Sequence, residues 1–213
     1  MARPSVNVIT HPSLKAKLNL LEDRTTIPAA VRSLVAQATT ILAVNATSDL
    51  EAESSTVLVP VMRSGLAMVD SFLDVLTPAH KVAVHHLGLF RDPSTLEAVE
   101  YYNNIPVSGN PAKYAFVVDP LVATGASVCA AIDSLKYVIR LKNISKLLDA
   151  NFIRRWKVEN IIVVALLATN EAIERVKKHY GDGVQFFVGD IQALDSNGRI
   201  TPGVGDMGDR LYF

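Results

Sequence analysis

The run Val117-Val-Asp-Pro-Leu-Val-Ala-Thr-Gly-Ala-Ser127 decides the reading of this chain. Residues 115–118 (Ala-Phe-Val-Val) form a short apolar run of the kind buried inside a parallel sheet. Asp119 follows where such a strand would end, at the crevice in which open α/β sheets bind ligands. Small side chains over residues 123–127 then let backbone N–H groups approach an anion, while Thr124 and Ser127 add hydroxyls. A helix opening behind them favours negative charge at its N-terminus. The stretch is expected to cradle a phosphate. It is not a P-loop, since Gly-Lys-Ser/Thr is missing, and no Gly-x-Gly-x-x-Gly fingerprint opens the helix here.

At 213 residues with 49% hydrophobic content, the chain suits one domain, 1–213, with a two-sided core. The longest unbroken apolar run, residues 161–168, is far short of the roughly 20 residues that cross a bilayer, and no basic-then-apolar secretion signal opens the chain. A cytoplasmic protein without membrane association is expected. Lys+Arg and Asp+Glu both number 21, which lacks the basic excess of a nucleic-acid binder and fits a small anionic substrate better. The single cysteine, Cys129, rules out an internal disulfide and reads as a buried structural thiol.

Apolar residues at helical spacing, opened by Pro28, predict an amphipathic helix from about Pro28 to Ala46. Val57 to Val59 reads as the first core strand, Arg63-Ser-Gly65 as a turn into a second helix, and Val82 to Leu89 as one further strand carrying His85 and His86. An extended arm with Tyr101 and Tyr102 follows over about 96–105, then a turn at 108–111. After the phosphate loop come a helix from about Ala126, a strand at Ile161, a helix capped by Asn170 and stopped near Gly181, and a strand over 184–188. The alternation argues for an α/β fold with a mostly parallel central sheet flanked by helices. Residues from about 140 to 157 make a long connection before the strand at Ile161.

Asp-Pro-x-x-Ala-Thr-Gly-x-Ser, residues 119–127, resembles the phosphoribosyl diphosphate (PRPP) loop of the phosphoribosyltransferases in the form found in uracil phosphoribosyltransferases. Four more segments resemble that family in the same order: His11-Pro-Ser-Leu with Lys17-Leu, Pro60-Val-Met-Arg-Ser-Gly-Leu66, Phe90-Arg-Asp-Pro-Ser-Thr-Leu-Glu97 running on to Glu100-Tyr-Tyr102, and Pro202-Gly-Val-Gly-Asp-Met-Gly-Asp-Arg-Leu211. The resemblance implies a type I phosphoribosyltransferase fold with an extended β-arm and a C-terminal base-binding loop. It implies transfer of the phosphoribosyl group of PRPP to uracil, giving UMP and diphosphate in pyrimidine salvage, with Mg²⁺ as cofactor.

By the same resemblance, the 5-phosphate lies on Ala123, Thr124, Gly125, Ala126 and Ser127, with Pro120, Leu121 and Val122 completing the PRPP segment. Asp119 faces the ribose hydroxyls. Arg63, beside an expected non-proline cis peptide, and Arg91 face the diphosphate, and Asp206 faces PRPP and its Mg²⁺. Main-chain groups of Ile200, Gly205, Asp206 and Met207 read the uracil edge. Arg63, Asp119 and Asp206 are the expected catalytic residues. Where many purine enzymes place a second acid, Pro120 has none, which favours a pyrimidine. Ala126 replaces the family's usual Gly, harmlessly if its φ is negative. The family further implies a homodimer or higher oligomer and admits GTP or another nucleotide as effector. Two rival readings are a non-catalytic PRPP-binding or nucleotide-binding regulator, suggested by Ala126, and a transferase with altered base preference, suggested by Arg199 and Met207.

Overall fold

The computed structural model describes residues 5–51, 53–91, 98–103, 112–136, 158 and 160–213. Its elements in chain order are β1 (Val6–Val8), α1 (Pro12–Glu22), α2 (Pro28–Ala46), β2 (Ser55–Met62), α3 (Val69–Leu73), β3 (Lys81–Val84), β4 (Leu87–Arg91) and β5 (Ala98–Asn103). These are followed by β6 (Tyr114–Val118), β7 (Leu121–Val122), α4 (Ala126–Lys136), β8 (Asn160–Thr169), α5 (Asn170–Tyr180), β9 (Val184–Leu194), β10 (Ile200–Thr201) and α6 (Met207–Tyr212). The sheet runs in the order β1-β9-β8-β6-β2-β4-β5, with β3 also on β2, β7 on β8 and β10 on β9. Pairs β4/β5 and β9/β10 are antiparallel, and the other pairings among the described residues are parallel.

Successive strand residues point to opposite faces, and here both faces are apolar. Val59, Val117, Val163 and Phe186 stand in one row across the sheet and pack with Ile132 of α4 and Val176 of α5. Leu58, Phe116 and Ile162 form the neighbouring row and face the other way, towards α1, α2, α3 and α6. Phe116 meets Phe72 of α3 with ring centroids 4.9 Å apart. Each such side chain, fully buried, contributes ~1.5–3 kcal/mol. This two-sided burial fixes the strand ends, and with them the loops that carry polar chemistry.

The expected α2 is found with the bounds read from the sequence. By length and composition it could span a bilayer, but Val31, Val35, Ala38 and Leu42 are fully buried against the sheet.

Other expectations need correction. The strand read as Val82 to Leu89 is two strands, β3 and β4, with His85 and His86 between them. Pro60 supplies the reason: β3 pairs with β2 only up to Leu58 and β4 begins at Val61, so the ladder is interrupted where Pro60 has no N–H to donate. The strand at 57–59 is the first core strand, as read, although the partly exposed edge strand β1 precedes it in the chain and pairs with β9. The α5 cap is Thr169 rather than Asn170, since Thr169 is extended and its Oγ1 accepts from the Ala172 N–H. The extended arm is present as β5, antiparallel to β4. The turn at 108–111 and the connection over 140–157 lie outside the described residues.

Candidate active site

β6 ends at Val118, which sets Asp119 at the C-terminal edge of the sheet, between β2 and β8. Asp119 is only 8% exposed. Ser64 Oγ donates to its Oδ1 at 2.9 Å, and the Leu121 N–H donates to the same oxygen at 3.4 Å. Burial pushes this carboxyl up to about 7, against the two hydrogen bonds, which favour its charged form. Ser64 opens the turn that follows the end of β2 at Met62; the Met62–Arg63 peptide is cis, as the resemblance implied. The turn also needs Gly65: a Cβ there would lie 2.5 Å from the Val118 carbonyl oxygen.

The carboxyl has a consequence for stability. Between its ordinary value of 3.8 and about 7, Asp119 binds more protons in the folded than in the unfolded chain. Its contribution is therefore fully present below about pH 4 and is lost as pH rises towards 7, a change of ~4 kcal/mol. Urea unfolding of wild type and Asp119→Asn across that range should show the Asn variant gaining on the wild type by this order as pH rises.

Residues 123–127 follow β7 and run into α4, whose first residue is Ala126. Gly125 has φ +75°, and a Cβ there would press on Ala172, 3.1 Å from its Cα. The Cys129 N–H donates to the Gly125 carbonyl at 2.9 Å, closing the first turn of α4. Among the described residues the only non-glycine with positive φ is Glu53, so Ala126 sits in ordinary helical space. Its methyl is buried and its backbone unstrained, which removes the loop distortion that suggested a non-catalytic regulator. If the loop binds PRPP as the resemblance implies, Ala126→Gly should leave its KM within a few-fold, about 1 kcal/mol or less, in a PRPP titration.

The C-terminal segment closes over the Arg63 turn. Arg63 Nη2 lies 2.7 Å from Asp209 Oδ1, its guanidinium carbon is 5.3 Å from the centroid of the Phe213 ring, and Tyr212 donates to the Arg63 carbonyl at 3.4 Å. Asp206 caps α6 by accepting from the Asp209 N–H at 3.0 Å. Met207, first in α6, is 2% exposed with its side chain in the core. Residues 203–208 spell Gly-x-Gly-x-x-Gly, but they follow a two-residue strand and open a six-residue helix, outside any strand-helix-strand unit. Ile200 belongs to β10, a cis Thr201–Pro202 bond follows, and the Gly203 N–H donates to Gln192 Oε1 at 3.0 Å. Arg210 fastens this loop to α1: Nη1 donates to the carbonyls of Val204 and Leu21, and Nη2 to that of Asp23.

The structure thus brings Arg63, Asp119 and residues 123–127 to one edge of the sheet, and lays Asp206 beside Arg63. The Arg91 side chain lies outside the described residues. Ser64 and Asp209 lie within two of the segments quoted for the resemblance but were given no role there, because each acts through a distant partner: Ser64 through a carboxylate 55 residues away, Asp209 through a guanidinium 146 away. Cys129 is half-buried rather than buried, and burial pushes its thiol up.

The sequence profile of the uracil phosphoribosyltransferases matches residues 51–213, a span holding Arg63, Asp119, the loop and α6. The chain belongs to the uracil phosphoribosyltransferase family. A uracil phosphoribosyltransferase of Thermoanaerobacter sp. is 35% identical over 98% of this chain and 97% of its own length. The solved structure of the AQ2163 protein from Aquifex aeolicus superposes with a TM-score of 0.81 at 25% identity, covering 97% of both chains. A hypoxanthine-guanine phosphoribosyltransferase from Bacillus anthracis shares the fold alone, with a TM-score of 0.50 at 13% identity over 76% of this chain and 79% of that one. The fold is that of the type I phosphoribosyltransferases, as the sequence resemblance implied.

Proposed function

We propose that this chain is a uracil phosphoribosyltransferase, a single domain over 1–213 that converts uracil and PRPP into UMP and diphosphate. The observation that carries the reading is the convergence of Arg63, the buried Asp119 and the helix-backed loop 123–127 at one edge of the sheet. In the reaction the ribose C1–O bond breaks, its electron pair leaves with diphosphate, N1 of uracil bonds to C1, and the N1 proton is released.

The chain's part is to position and to neutralise. Backbone N–H groups of residues 123–127 and the α4 N-terminus hold the 5-phosphate. Ionised Asp119 accepts from the ribose hydroxyls and favours the positive charge that develops on the sugar. Arg63, joined by Arg91, faces the diphosphate, where negative charge grows as the bond breaks. Main-chain groups of Ile200, Gly205 and Met207 read the base edge.

Among the described residues no cluster of three or more His, Cys, Asp or Glu side chains is placed to hold a metal. The carboxylate of Asp206 is exposed beside Arg63 and suits a hard cation that arrives with its ligand. Mg²⁺ bound there supplies charge neutralisation of the diphosphate. The exposed Val99, Tyr101 and Tyr102 of β5 suit an arm that packs on a second copy of the chain, in a soluble cytoplasmic oligomer.

A base panel tests the reading. Turnover is expected with uracil, PRPP and Mg²⁺, and little or none with cytosine, adenine or hypoxanthine, because a loop that pairs with uracil leaves buried groups unpaired against cytosine. Equal rates with hypoxanthine would sink it.

A further inference from the structure

We infer that Thr169, at the junction of β8 and α5, is a positioning residue for the phosphate loop, its hydroxyl holding residues 123–127 in the shape that receives the 5-phosphate. The inference rests on the functional reading above and names a residue outside the expected site. β7 pairs in register with β8 through Leu121 and Leu167 and through Val122 and Ala168. The ladder ends there. At the next position the Thr169 side chain takes over: Oγ1, fully buried, donates to the Ala123 carbonyl at 2.6 Å and accepts from the Ala172 N–H at 3.1 Å.

One hydroxyl thus ties the loop to the cap of α5. Gly125 adds a second, independent contact, because its missing side chain lets the loop sit directly on Ala172, where a Cβ would come within 3.0 Å of the carbonyl oxygen. The bond to Ala123 also orients the loop. In a trans peptide the C=O and the following N–H point in opposite directions, so anchoring the Ala123 carbonyl on Thr169 fixes the plane of the peptide that leads into Thr124. The Cys129 N–H fixes the plane after Gly125 in the same way, through the Gly125 carbonyl. Without the Thr169 hydroxyl, the Ala123 carbonyl and the Ala172 N–H both lose their partner, and the loop is free to rotate.

The 5-phosphate is a handle remote from the reacting carbon. A loosened loop should weaken ground-state and transition-state binding alike, raising KM for PRPP about tenfold while kcat and the KM for uracil stay within about threefold.

The test compares wild type, Thr169→Val, which keeps the shape and loses both hydrogen bonds, and Thr169→Ser, which keeps the hydroxyl. Each is titrated calorimetrically with PRPP, ribose 5-phosphate and inorganic diphosphate, well below its Tm, since loss of the cap also lowers Tm. The Val variant should lose about tenfold in affinity for PRPP and ribose 5-phosphate and none for diphosphate, and Ser should restore both to within about twofold. Undiminished ribose 5-phosphate binding by the Val variant, or an equal loss for diphosphate, overturns the role of Thr169 and leaves the functional reading standing. A wild type that binds none of the three ligands overturns both. Should the Val variant not fold, Gly125→Ala, which leaves the α5 cap intact and pushes the loop off Ala172, must show the same selective loss, and unchanged ribose 5-phosphate affinity there overturns the inference.

Discussion

Asp119→Asn is expected to lower kcat/KM by about 10²–10³ at pH 8 while the protein remains folded. The substitution keeps the shape of the side chain and leaves an oxygen able to accept from Ser64 and from the Leu121 N–H. On the proposed function, what it removes is the negative charge opposite a sugar that becomes cationic in the transition state. Burial already holds that charge back in the free protein, with the carboxyl pushed up to about 7. The wild type should therefore gain kcat/KM as pH rises through 7, because only the ionised acid contributes, whereas the Asn variant should have no such limb. The gap between the two should narrow towards pH 5.5, where the wild type is itself mostly neutral at this position. A variant that retains wild-type kcat/KM at pH 8 would remove Asp119 from the chemistry.

Arg63→Ala is expected to cut kcat by about 10²-fold or more and to leave the KM for uracil within a few-fold. On the proposed function, negative charge on the diphosphate grows as the bond breaks, so the guanidinium would contribute more to the transition state than to the ground state. The experiment is clean because Arg63 and Asp209 are 47% and 59% exposed, and a pair so open to solvent contributes only ~0–1 kcal/mol to stability. Asp209 also means that an incoming diphosphate competes with a carboxylate already on the guanidinium. Arg63→Lys should recover part of the loss, since a point charge replaces a planar fork. Steady-state kinetics on folded variants decide, and an unchanged kcat would exclude Arg63 from the reaction.

Features fixed by neighbours in the sequence were legible before the structure. Pro28 with the apolar period behind it bounds α2, and the apolar run before Asp119 marks β6 and the loop that follows. What escaped depends on residues far apart or on a choice between near equals. Pro60 breaks the ladder only on the side of β2 that faces β3 and β4, and which strands flank β2 cannot be seen in a linear chain. Thr169 and Asn170 are both capable caps, and the length of β8 decides between them by keeping Thr169 extended. The pairing of Arg63 with Asp209 joins the two ends of the family match, so neither segment alone announces it.

Arg210 has a bearing on how the molecule comes into being. Its bonds to the carbonyls of Leu21 and Asp23 reach back 189 and 187 residues, and Arg63 waits for a partner 146 residues further on. Closing such long loops is entropically slow, and a chain is made from its N-terminus. At ordinary rates of synthesis the residues between α5 and Arg210 take on the order of a few seconds to follow. Strands β2, β6 and β8, helix α5 and the loop at 123–127 that they hold can thus be made while the segment proposed to bind the base is still to come. On the proposed function, a nascent chain would pass through a stage that is equipped for a phosphate and blind to the base.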